Sequence, residues 1–108
     1  MEIEVYDTYA TTEKGIKIHF DVMLPIGGNE GIASIYAQDF INIIAESTDS
    51  IKLDSCKFCH TADAKSVVSE KVEKDGYCIV PIENVRTNTR EINNGPNMET
   101  LFNSFSLV

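Results

Sequence analysis

Cys56-Lys57-Phe58-Cys59-His60 gather a C-x-x-C pair, an aromatic ring and an imidazole into five consecutive residues. Three chemistries use such a string. Covalent attachment of c-type haem would make His60 an axial ligand, but that chemistry requires export, and Glu2 and Glu4 spoil a basic secretory n-region. A thioredoxin-like pair would need Cys56 or Cys59 at a helix N-terminus, where the helix dipole lowers the thiol pKa. Zinc suits the donor types best, because thiolate and imidazole are its preferred ligands. Cys56, Cys59 and His60 are therefore the candidate metal ligands. They supply at most three of the four that a structural site takes, and adjacent Cys59 and His60 do not easily share one ion. A bland reading competes: Cys56 and Phe58 are core residues, and Cys59 with His60 forms a hydrogen-bonded turn between a strand and a helix.

A second constellation is Asp7, His19 and Asp21. A carboxylate beside an imidazole orients it and suits it to acid–base work. An exposed polar strand face would explain the same residues. No G-x-S-x-G, G-x-x-x-x-G-K-[ST] or G-x-G-x-x-G string is present, so no catalytic residue is assigned.

The elements that must position these residues are legible from periodicity. Residues 2–9 alternate, with Ile3, Val5, Asp7 and Tyr9 on one face and Glu4, Tyr6 and Thr8 on the other. Residues 16–24 repeat the pattern, with Ile16, Ile18, Phe20, Val22 and Leu24 on the inner face. If both apolar rows share one core and Thr12 to Gly15 forms the loop, Thr8 falls opposite His19 and Tyr6 opposite Asp21. Asp7 then turns inward with Val5. Asn29 is suited to cap a helix from Glu30 to Glu46, whose apolar stripe is Ile32, Ile35, Tyr36, Phe40, Ile43 and Ile44. Ser50 to Cys56 reads as a strand with Ile51 and Leu53 inward. Asp63 is placed to cap a second helix carrying Ala64, Val67, Val68 and Val72, which Gly76 ends. Tyr77 to Ile82 forms a last strand, with Pro81 marking an edge or a bulge. A helix between two strands ordinarily makes them parallel, which would separate Cys78 from Cys56, while His19 lies mid-strand away from the motif.

The pattern is an α+β class, a two-layer β-β-α-β-α-β domain with its helices on one sheet face. The domain core spans 1–84. Residues 85–108 form a polar linker and an apolar tail, in which Met98, Leu101, Phe102 and Phe105 share a helical spacing suited to covering the second apolar sheet face.

A chain of 108 residues makes one small domain. Residues 1–84 hold 15 acidic and 7 basic side chains, and so the whole net charge of −8. Without a basic cluster, nucleic acid and anionic membranes are poor partners. No apolar run reaches the ~20 residues of a membrane span. The odd set of Cys56, Cys59 and Cys78 fits reduced thiols in a cytoplasmic protein.

Val5-Tyr6-Asp7-Thr8-Tyr9, His19-Phe20-Asp21-Val22 and Cys56-Lys57-Phe58-Cys59-His60, in this order and spacing, resemble the uncharacterised bacterial family catalogued as domain of unknown function number two thousand and twenty-four. The resemblance covers about residues 1–83. It implies a small α+β fold and no activity, substrate or catalytic residue. The functional expectation is a small cytosolic binding or interaction module without catalysis and without a resident cofactor, its partner a second copy or another protein. The alternative is a metal-binding (zinc) or thiol-redox protein using Cys56, Cys59 and His60.

Overall fold

A computed structural model describes residues 1–45 and 50–85. Strands β1 (Glu2–Thr12) and β2 (Lys17–Pro25) lead into helix α1 (Glu30–Ala45), and strand β3 (Ile51–Asp63), helix α2 (Ser66–Asp75) and strand β4 (Cys78–Glu83) follow. The four strands form one sheet in the order β3-β1-β2-β4, each antiparallel to its neighbour. The α+β class and the β-β-α-β-α-β order are those read from the sequence.

The layering is different. In an antiparallel pair, directly opposed residues project from the same face. One face carries Tyr6, Ala10, Ile18, Phe20, Val22, Leu24 and Ile79, and it packs on Ala33, Ala37, Phe40, Ile41 and Ile44 of α1. The other carries Ile3, Val5 and Cys78, with Met23 and Val80 beside them, and it packs on Val72 and Val68 of α2. The helices therefore lie on opposite faces, not both on one, and α2 occupies apolar surface that the sequence reading gave to the C-terminal tail. That tail lies outside the described residues.

Two-sided burial also corrects the hairpin. The register pairs Tyr9 with His19, Thr8 with Phe20 and Asp7 with Asp21, not Thr8 with His19 or Tyr6 with Asp21. The expected register assumed a single core, so that both apolar rows had to share a face. Instead β1 buries Ile3 and Val5 toward α2 and Tyr6, Thr8 and Ala10 toward α1. The turn is tighter by one residue: the Thr12 N–H donates to Ile16 O and the Gly15 N–H to Thr12 O, both at 2.9 Å. Gly15 makes this possible at φ 87°, in the left-handed region.

Asn29 caps α1 as expected, its Oδ1 accepting the Ile32 N–H at 2.8 Å. The buried stripe of α1 is rotated from the expected one. Ala33 and Ala37 are fully buried and let the helix sit close to the sheet, while Ile32, Ile35 and Ile43 are exposed. Glu4 fixes the corner before α1, its carboxylate accepting the N–H groups of Gly27 and Gly28 at 3.1 Å and the Tyr6 hydroxyl at 2.9 Å. α2 starts after Lys65, not Asp63, and ends at Gly76 in the left-handed conformation. The expected parallel relation of β3 and β4 is also overturned. They run antiparallel, at the two edges of the sheet, because α2 carries the chain across a full sheet face.

Candidate functional site

β3 is longer than expected and runs straight through the cysteine motif, which lies within a strand instead of at a strand-to-helix junction. Neither Cys56 nor Cys59 therefore begins a helix, although Glu30, the first residue of α1, reaches the motif and accepts the Phe58 N–H at 3.1 Å. The register of β3 against β1 slips between Val5 and Tyr6 and again between Tyr9 and Ala10, leaving Cys59 and Asp54 as the extra residues. Each slip reverses which face the following side chains occupy. Cys56, opposite Thr8, points into the α1 core and is buried, with the Thr8 hydroxyl donating to its Sγ at 3.3 Å. Phe58, opposite Tyr6, is 47% exposed and meets the Tyr6 ring edge-on at 5.7 Å. The sequence reading had it buried. Cys59 is exposed at the bulge, and His60 falls opposite Val5 on the α2 face. Cys56 and His60 therefore serve opposite faces. Cys78 is buried at the far edge of the sheet, its thiol pushed up to about 11 chiefly by burial, which keeps it protonated and unreactive.

Asp7, His19 and Asp21 do come together. The even-sum register places all three odd-numbered residues on the α2 face, with Asp7 directly opposite Asp21 and His19 one row further along. The sequence reading had put His19 and Asp21 on the face of Tyr6 and Thr8, apart from Asp7. His19 Nε2 donates to Asp7 Oδ1 at 2.7 Å. Tyr9, opposite His19, stacks on the imidazole with ring centroids 4.3 Å apart and planes within 8° of parallel, holding its plane. Tyr9 was not picked out from the sequence as part of this cluster. Its signal was the residue i+2 of Asp7 on the same strand face.

The Asp7 and Asp21 carboxyl groups, on directly opposed residues, repel each other when both are charged. Burial, and then Asp7, push the Asp21 carboxyl up to about 6, while His19 and His60 pull it down. Among the described residues, Asp7, His19 and Asp21 form the group of His, Cys or acidic side chains whose ligand atoms all lie within 4.8 Å of one another. All three are partly buried, and all stand on the central strands of the sheet.

A four-stranded antiparallel sheet with a helix on each face and a carboxylate–imidazole cluster on its central strands defines a small α+β domain with a candidate ligand site among the described residues. Residues 1–82 match the family described as Domain of unknown function (DUF2024), and the chain belongs to that family. The fold is similar to the NMR structure of protein NE1680 from Nitrosomonas europaea, at 31% identity and a TM-score of 0.65 over 80% of this chain and 100% of that one. No curated protein matches the sequence. Among the described residues no helix is long and apolar enough to cross a membrane.

Proposed function

We propose that the chain is a small cytosolic binding module without catalysis, and that its ligand is a divalent metal ion held by Asp7, His19 and Asp21. The observation that carries this reading is the convergence of one imidazole and two carboxylates, from adjacent strands, within 4.8 Å. Ligands of one zinc-sized ion sit about 3–3.5 Å apart, so small side-chain rotations close the set. Paired carboxylates directly opposite each other are unfavourable on a sheet unless a proton or a cation lies between them. The net charge of −8 further favours cations near the surface. Three unpaired cysteines, two of them buried, fit a reducing compartment. The thiol-redox alternative has weaker support, since Cys56 is tied to Thr8 inside the core.

The test is calorimetric titration of the metal-free chain with Zn²⁺ and Mn²⁺, together with thermal melts. One equivalent should bind, and 100 Kd of free metal should add about 2.7 kcal/mol of stability. Asp7→Ala, Asp21→Ala and His19→Ala should each abolish or strongly weaken both effects. A wild-type chain whose melting temperature does not respond to either ion would overturn the reading.

A further inference from the structure

We infer that the extra residue Cys59 in β3 serves to bring His60 onto the metal-binding face as a fourth ligand, making the site one for zinc or a similar borderline transition ion and not for Mg²⁺ or Ca²⁺. This rests on the metal reading of Asp7, His19 and Asp21.

Phe58 lies opposite Tyr6 on the α1 face. Were β3 to continue without interruption, His60 would lie opposite Glu4, on that same face. The slip between Val5 and Tyr6 places His60 opposite Val5 instead. Val5 belongs to the α2 face, next along β1 from Asp7 on that face. The bulge therefore transfers one imidazole from the face of α1 to the face of the cluster. Bulges re-aim side chains in this way, commonly beside functional sites.

Reach comes next. Diagonal neighbours on adjacent strands stand about 7–8 Å apart, within range of a long side chain such as imidazole. His60 stands opposite Val5 and so is the diagonal neighbour of Asp7 on the adjoining strand. It is exposed and, among the described residues, makes no hydrogen bond or ion pair that would hold it elsewhere. His19, by contrast, is already fixed by Asp7 and Tyr9. The cluster is thus a set of three candidate ligands on two central strands, in which an ion would replace the proton that His19 Nε2 gives to Asp7, with the exposed imidazole of His60 on the neighbouring edge strand, diagonal to Asp7. Two imidazoles and two carboxylates make four ligands. Nitrogen donors favour zinc, cobalt, nickel and copper, whereas Mg²⁺ and Ca²⁺ prefer oxygen alone. The inference also explains why Cys59 and His60 follow Cys56 without the three forming a ligand set: Cys59 supplies length and His60 supplies the donor.

The experiment is titration of the full chain with ZnCl₂, MgCl₂ and CaCl₂, in wild type, His60→Ala and Cys59→Ser, with visible absorption of the Co²⁺-loaded forms. Because His60 is exposed, its replacement leaves the core intact, as a circular dichroism melt would verify. Wild type should bind Zn²⁺ at least a hundredfold more tightly than Mg²⁺ or Ca²⁺. His60→Ala should lose at least tenfold in Zn²⁺ affinity at unchanged stoichiometry and lose the strong visible bands of four-coordinate Co²⁺. Cys59→Ser should match wild type. Equal Zn²⁺ affinity in His60→Ala and wild type would overturn the inference while leaving the three-ligand site standing. A loss confined to Cys59→Ser would give the fourth position to a thiolate and overturn it too. No Zn²⁺ binding by wild type would remove both this inference and the reading beneath it.

Discussion

Asp21 sits between opposing influences whose balance raises its carboxyl. Its carboxyl is pushed up to about 6 by burial and by Asp7, against the pull of His19 and His60. An acid whose folded pKa is raised is favoured in its neutral form. The stability from neutral Asp21 is fully present below about 4 and lost as pH rises through about 6. In metal-free protein, Asp21→Asn should therefore raise stability at pH 7, by about 1 kcal/mol given that the group is still partly solvated, and flatten the change between pH 4 and 6. Urea denaturation of both proteins across that range is the check, and an Asn variant less stable than wild type at pH 7 would refute it. Residue burial also separates the phenylalanines. Phe20→Ala should cost about 3–5 kcal/mol, since Phe20 is fully buried and edge-on to Phe40 at 4.9 Å. Phe58→Ala should cost only about 1 kcal/mol, mostly its edge-on contact with Tyr6. The sequence alone could not distinguish them, because an aromatic beside a buried cysteine looks the same on either side of a bulge.

Elements were legible wherever the signal was local. The alternation of β1 and β2, the Asn29 cap and the Gly76 stop each depend on a few neighbouring residues, and each stands in the structure. Register depends on what covers each face, and that is a property of the whole sheet. With α2 on the face of Ile3 and Val5, an even pairing sum buries more than an odd one, and the Asp7–His19–Asp21 cluster follows from that single shift. The long β3 was missed for a related reason: its two bulges break the period of two that would have announced it. Gly15 anchors the register at the turn. Nothing lies within 4 Å of where its Cβ would be, so a side chain there meets backbone strain and no clash. Gly15→Ala should cost about 1–2 kcal/mol and Gly15→Asn clearly less, since Asn tolerates the left-handed region. Equal losses in the two variants, measured by denaturation, would mean that something other than the positive φ is disturbed.

At the scale of the molecule, the decisive fact is that both sheet faces find their cover within residues 1–85. α1 covers one face and α2 the other, and even Val85, just beyond β4, packs against the α1 cluster. The family match ends at residue 82, and the full chain of NE1680 corresponds to 80% of this one. The folding unit should therefore be complete at Val85. A protein cut after Val85 should melt cooperatively within a few degrees of the full chain, a difference of under about 1 kcal/mol. It should also bind Zn²⁺ with unchanged affinity, because every proposed ligand, from Asp7 to His60, lies inside it. Binding of a hydrophobic dye, or a melting temperature lower by more than about 10 °C, would show that residues 86–108 cover apolar surface that the two helices leave open. Such surface has one obvious location on the described part of the molecule, the exposed Ile32, Ile35 and Ile43 of α1. Replacing Ile35 with Lys would then restore solubility to the shortened protein, whereas in the full chain it would lower the melting temperature.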